Sequence, residues 1–274
     1  MNELELGRQS SYEMIYNPSK LFAIPRVDKR LELGIEEQHG LPFYGQDSWT
    51  HYEVSWLNPK GKPMVAIATI AYSCHSPFII ESKSMKLYFN SFNHTAVSSI
   101  AELEQIIKKD IEQKIVHHVD VKLYPLDQAL HFQQAFQAQG ICIDDLDIDC
   151  TEYQVNPEYL ATNHHDVEET LHSHLLKSNC LVTLQPDWGS VEICYQGKQI
   201  EKEGLLRYIV SFRNHNEFHE QCIERIFTDI MRQCQPTSLS VYGRYTRRGG
   251  LDINPFRTTD KHYRRHQEGR LLRQ

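Results

Sequence analysis

ESKSMKLYFNSF, residues 81–92, returns 120 positions later as EKEGLLRYIVSF, residues 201–212. Glu81 falls on Glu201, Tyr88 on Tyr208, Ser91 on Ser211 and Phe92 on Phe212. The same shift carries Cys74 onto Cys194, Leu103 onto Ile223, Glu104 onto Glu224, Ile106 onto Ile226 and Val121 onto Val241. Two copies of one supersecondary unit are the simplest explanation of such an echo.

The rest of the unit is read outward from that stretch. MVAIATIAY, residues 64–72, is rich in branched apolar residues and predicts a strand. Residues 81–92 alternate well enough to predict a second strand. Residues 96–115 place Ile100, Leu103, Ile107 and Ile111 near helical spacing, and HVDVKLYPL, residues 118–126, predicts a further strand. The pattern of strand, loop, helix and strand describes an α+β protein of antiparallel sheets with helices on one face. Such sheets leave edges that pair with a neighbour, so a closed, barrel-like oligomer is expected. Pro and Gly interruptions such as FAIPR and HGLPFYG mark residues 1–50 as an irregular arm with loops. The first unit then spans 51–140 and the second 166–274. Residues 141–165, with a DDLD run and the Asn156-Pro157 turn, suit a linker.

Composition bounds the function. With 40% hydrophobic and 24% charged residues, the 274-residue chain is an ordinary globular protein with one large core or two modest ones. No stretch approaches the roughly 20 apolar residues of a membrane helix. MNELELGRQSSYEM lacks the basic start and apolar run of a signal peptide, so a cytoplasmic protein is expected. The formal charge of -7 gives no general reason to bind nucleic acid. From Arg244 onward, however, the chain is crowded with arginine, which suits a local anionic group such as a phosphate. The seven cysteines are odd in number and lack C-x-x-C spacing, and the 15 histidines form neither H-E-x-x-H nor H-x-E-H. Buried thiols and no metal are therefore expected.

Several residues bear chemistry. Cys180 in KSNCLVTLQPDW precedes an apolar, strand-like stretch, and Asp187 follows seven residues later. Sulfur is a strong nucleophile even at a small thiolate fraction, and a nearby carboxylate can exchange protons with a bound substrate. Asp187 can equally close a turn. His219-Glu220 opens a helix, where a carboxylate serves the helix dipole or, inside a pocket, accepts hydrogen bonds from the donor edge of a heterocycle. In a strand, Lys83 and Lys86 point to opposite faces. Arg247-Arg248-Gly249-Gly250 combines guanidinium groups with a flexible turn and suits a phosphate. There is no G-x-G-x-x-G fingerprint, so a dinucleotide needs another architecture.

ESKSMKLY (81–88), SNCLVTLQPDWG, FHE and YTRRGGLDINPFR stand in this order in the chain. Together they resemble the long, two-module form of the 7-cyano-7-deazaguanine reductase family, and the likeness covers nearly the whole chain. The resemblance implies tandem modules of the tunnelling fold, a homodimer, and no direct contact with nucleic acid. It implies NADPH-dependent reduction of 7-cyano-7-deazaguanine to 7-aminomethyl-7-deazaguanine, in queuosine biosynthesis, through a thioimidate on Cys180. It places the proton donor at Asp187, substrate recognition at Glu81, His219 and Glu220, and NADPH contacts at Ser82, Lys83, Arg248 and Gly249. Two rivals predict different assays: a cyclohydrolase-like hydrolase needs a metal-activated water, and a transfer-RNA-associated binding protein needs salt-sensitive RNA binding.

Overall fold

The computed structural model describes residues 15–133, 135–181, 183–263 and 269–274. The first half runs β1 (Ala23–Pro25), α1 (Val27–Glu32), β2 (Tyr44–Leu57), β3 (Pro63–Ser73), β4 (Phe78–Ile80), α2 (Ser82–Asn90), α3 (Ile100–Ile115) and β5 (Val119–Tyr124). Two short strands follow, β6 (Ala135–Phe136) and β7 (Ile141–Cys142). The second half runs β8 (Thr162–Ser173), β9 (Lys177–Asn179), β10 (Pro186–Ile200), α4 (Lys202–Ser211), α5 (His219–Cys234), β11 (Ser238–Tyr245), β12 (Leu251–Thr258) and β13 (Arg270–Leu271).

The main sheet has the order β5-β3-β2-β12-β11-β10-β8-β7, with β9 paired to the start of β10. All of these pairs are antiparallel except β7 with β8. Along β3 the buried residues Ala66, Ala68, Ile70 and Tyr72 alternate with outward ones such as Val65, the two-residue period of a strand with one covered face. The cover is helical. Leu103, Ile107, Ile111 and Ile115 of α3 are fully buried at four-residue spacing, and Ile223, Phe227 and Ile230 of α5 at spacings of four and three. One apolar cluster joins α2 and α3 to β2 and β3, and a second joins α4 and α5 to β10 and β11.

Residues 81–92 correct the strand expected there: 82–90 are helix α2, and the echoed stretch is helix α4. The reason lies in capping and aromatic spacing. The Glu81 carboxylate accepts the N–H groups of Lys83 and Ser84, satisfying donors that a first helical turn leaves unpaired. Met85, Tyr88, Phe89 and Phe92, three and four residues apart, then share the buried face. Lys83 and Lys86 consequently lie one turn apart on one helical face, not on opposite faces of a strand.

The 120-residue echo is a helix joint. Tyr88 donates its hydroxyl to Asp110 of α3 at 2.6 Å, and Tyr208 donates to Asp229 of α5 at 2.7 Å. Ser91 and Ser211 each donate to the carbonyl of the preceding tyrosine at 2.6 Å. The rings of Phe92 and Phe212 meet those tyrosines edge-on, at 5.3 and 5.2 Å. The repeated residues are those that lock each short helix onto its long partner.

Residues 23–47, read above as part of an irregular arm, enter the deepest polar site. Arg26 and Arg30, flanking and within α1, and Arg257 of β12 are at most 1% exposed. Arg26 reaches Asp47 at 2.5 Å, Arg30 reaches Glu224 at 2.8 Å and Glu37 at 2.7 Å, and Arg257 bridges Asp47 and Glu224 at 2.8 Å each. Three arginines thus face three carboxylates, and the network ties α1, β2, β12 and α5 together. It also absorbs part of the basic C-terminal run: Arg257 is structural, and the Arg244 Nε–H donates to the Gln274 side chain at 2.9 Å. Residues 1–14, which carried the signal-peptide reading, and Arg264 and Arg265 of the basic run lie outside the described residues. Among the described residues, no helix is long and apolar enough to cross a membrane.

Candidate active site

Four loops and helix starts converge at one end of the second half. Cys180 follows β9 directly, and Asp187 is the second residue of β10, in register with Ser178. The described residues after Cys180, 181 and 183–185, form no strand and lie between β9 and β10, against the strand expected there. Leu184 takes a left-handed φ of 57° there and donates its N–H to the Cys180 carbonyl, while the Cys180 N–H donates to the Gln185 carbonyl at 2.9 Å. Because side chains alternate along a strand, Ser178 shares a face with Asp187, and Cys180 follows two residues later where the hairpin turns. Cys180 is 4% exposed and Asp187 5%.

The segment 215–217 pairs with the same hairpin: Asn179 donates to the His215 carbonyl at 2.8 Å, and Glu217 donates to the Asn179 carbonyl at 3.0 Å. This fixes the start of α5 beside Cys180. His219, the first residue of the helix, brings Nε2 to 3.7 Å from Asp187 Oδ1, with its ring edge-on to Tyr245 at 4.1 Å. Burial pushes the His219 pKa down against the pull of Asp187, so the imidazole is neutral at neutral pH.

Glu220, next along, is 2% exposed, and its Oε1 has no hydrogen-bond partner. Burial and the neighbouring Asp47 push its pKa up to about 8, while Arg26 and Arg257 pull the other way. The network one turn below does not relieve the cost of that burial. Its three arginines are already matched by Asp47, Glu224 and Glu37, so a charge on Glu220 has no counter-ion of its own. A buried acceptor without a partner is costly unless a ligand supplies the donor.

The β11–β12 turn closes the site. Gly249 and Gly250 have φ of 65° and 80°, a conformation that favours glycine. A Cβ on Gly249 would sit 2.9 Å from the Lys86 ammonium. Arg248 NH1 lies 2.8 Å from Asp187 Oδ1, and Arg248 is also close enough to favour the ionised form of Glu81, whose pKa burial raises. Arg248 thereby links the start of α2 to the second-half cluster. The structure thus brings Asp187, His219 and Arg248 into contact, with Cys180 and Glu220 beside them. Glu81, Ser82 and Lys83 open α2, and both Glu81 carboxylate oxygens serve there as helix caps. Lys86 and Tyr245 were passed over as site residues. For Lys86 the signal was its place in the ESKSMK run, and for Tyr245 its place at the head of YTRRGGLDINPFR.

Among the other thiols, Cys74, Cys222 and Cys234 are buried, and burial pushes their pKa up to about 11, 12 and 11. That makes them poor nucleophiles. No cysteine is in a disulfide.

Two family models match the chain: "Nitrile reductase, 7-cyano-7-deazaguanine-reductase N-term" over residues 12–123, and "QueF-like protein" over residues 186–264. A protein of Legionella pneumophila (strain Lens) named NADPH-dependent 7-cyano-7-deazaguanine reductase is 58% identical over 274 residues, covering 100% of this chain and 95% of its own. Proteins of the same name from Cupriavidus metallidurans and Delftia acidovorans are 55% and 53% identical, covering 92% and 93% of this chain and the same shares of theirs.

Proposed function

This chain belongs to the NADPH-dependent 7-cyano-7-deazaguanine reductase family, and from that premise we propose that it reduces the nitrile to the primary amine through a covalent bond to Cys180. The observation that supports the residue assignment is the contact of Asp187 with both His219 and Arg248, on the strand that leaves the turn carrying Cys180. Cys180 adds its sulfur to the nitrile carbon, and Asp187 passes the thiol proton to the nitrile nitrogen. The addition, R–C≡N plus Cys–SH to a thioimidate, is then balanced without outside protons. His219, held neutral, relays later protons by way of Asp187, and burial of the whole cluster keeps water from the intermediate.

NADPH supplies the hydrides when bound, two cofactors per nitrile. The residues that fit it are Ser82 and Lys83 at the start of α2, with Lys86, Arg248 and the backbone of Gly249, which packs against Lys86. They gather cations and a close-approach turn at the mouth of the site. Glu220, with its unpartnered oxygen, accepts the N–H edge of the deazaguanine, and Glu81 assists from the first half. The halves are read as tandem tunnelling-fold modules, 51–140 and 166–274 joined by 141–165. The edges β5 and β7 support closure into a homodimeric barrel, and the net charge of -7 supports an enzyme without direct nucleic-acid contact; the cytoplasmic reading rests on the sequence of residues 1–14.

The direct test is substrate-dependent NADPH oxidation with a stoichiometry of two and formation of the amine. Asp187→Asn is expected to fold and bind the nitrile but lose roughly 10²–10⁴-fold in turnover. Near-wild-type kinetics in that variant would make Asp187 a turn residue only.

A pH dependence follows from Glu220. Its raised pKa means the acid must lose its proton to accept two N–H donors, so binding releases a proton below about pH 8. Binding of the nitrile to Cys180→Ala, followed by calorimetry, should tighten as pH rises from 6 to 8 and then level. Glu220→Gln should bind more weakly and with a flat profile. An unchanged slope in Glu220→Gln would move the recognition role elsewhere.

A further inference from the structure

The sheet face away from the helices carries a second cluster, made of residues that have no role in the site assigned above. Cys142 of β7 stands in parallel register with His172 of β8. His174 follows His172, and Asp144 follows Cys142, each by two residues. Two-residue steps keep side chains on one face of a strand, and the intervening Ile143 and Ser173 are buried on the other face. The pairs C-x-D and H-x-H thus form a two-by-two array. Gly140 lets the strands meet, since a Cβ there would strike the Thr170 carbonyl oxygen at 2.0 Å.

One ligand atom each from Cys142, His172 and His174 lies within 4.8 Å of the others. Tetrahedral zinc needs such atoms about 3.4–3.8 Å apart, so the array has to close by roughly 1 Å. The histidines are oriented for it. His172 Nδ1 lies 2.9 Å from the Gln139 carbonyl, which only accepts, so Nδ1 holds the proton and Nε2 keeps its lone pair. His174 Nδ1 lies 2.8 Å from Ser190 Oγ, leaving its Nε2 for a ligand. Outer partners of this kind set the tautomer of metal-binding imidazoles. Asp144 is an independent sign. One oxygen accepts the His174 N–H at 2.9 Å, the carboxylate reaches the Cys142 thiol, and the other oxygen is buried without a partner.

We propose that Cys142, His172 and His174 bind a zinc-class divalent ion that fastens the two-residue edge strand β7 to β8, with Asp144, which stands outside that three-residue group, closing onto the ion as the fourth donor. Four protein donors leave no open position, so the site is structural and stands apart from nitrile reduction.

The test uses the full chain, stripped with a chelator and titrated with zinc, and separately with cobalt, without nitrile or NADPH. One zinc per chain is expected, with a rise in thermal midpoint. Cobalt is expected to give a thiolate charge-transfer band that Cys180→Ala keeps and Cys142→Ser loses. Affinity should fall by roughly 100-fold or more in His172→Gln and by about 10–100-fold in Ser190→Ala, which removes only an outer partner. Cys142→Ser should still reduce the nitrile at the wild-type rate, which shows that the variant folds. Absence of saturable zinc binding by the wild type, wild-type affinity in Cys142→Ser or His172→Gln, or a cobalt band that follows Cys180 would each overturn the site.

Discussion

Cys180→Ala is expected to lose roughly 10⁴-fold or more in nitrile reduction while still binding the nitrile. The size of the effect comes from the chemistry. A nitrile carbon is a poor hydride acceptor until a nucleophile converts it into a trigonal imidate, and no neighbouring side chain replaces sulfur for that step. The structural cost is small, because loss of one buried sulfur removes roughly 1 kcal/mol of apolar burial. Its backbone bonds to Leu184 and Gln185 do not involve the side chain. Steady-state kinetics together with a thermal midpoint separates the two effects. Residual turnover within tenfold of wild type would end the nucleophile assignment.

Glu224→Ala is expected to be the most destabilising single truncation among the residues discussed, at about 3–5 kcal/mol, a large share of a typical folding free energy. Glu224 is 1% exposed and accepts from both Arg30 and Arg257. Its removal leaves Asp47 and Glu37 against three arginines. Burial opposes ionisation of Glu224, but Arg257, Arg30 and Arg26 outweigh it and hold the carboxyl at about 2, against an ordinary 4.5. Because the folded value is depressed, this stabilisation is present above about pH 4.5 and is lost as pH falls towards 2. Denaturant unfolding across that range should show a steep acid limb in the wild type and a shallower one in Glu224→Ala. Equal stability of the two proteins at pH 7 would remove the network from its structural role. Glu220 lies one turn from Glu224, so the variant should also weaken nitrile binding.

Local chemistry was legible in the sequence, and distant pairing was not. His219 opens α5 as its position before an amphipathic run predicts, and β3, α3 and β5 follow their apolar periods. Residues 81–92 misled because Ser, Lys and aromatic residues alternate there as in a strand, while the deciding feature is a side-chain cap by Glu81 on backbone donors two and three residues later. The echo at 120 positions was readable as a repeat, but its meaning, a tyrosine reaching an aspartate of the next helix, needs the folded chain. Arg30 and Glu224 are 194 positions apart, so nothing local marks them as partners. The same holds for the Cys142 and His172 array, which linear ligand spacings overlook because it is assembled by strand register.

The central claim is a reversible bond between one sulfur and the cyano carbon. Mass spectrometry of the protein incubated with 7-cyano-7-deazaguanine and no NADPH tests it most directly. A mass increase equal to one nitrile, mapped to the peptide containing Cys180 and absent from Cys180→Ala, is the predicted result. An adduct mapped to another thiol such as Cys194, or an unmodified wild-type protein under saturating nitrile, would contradict the account.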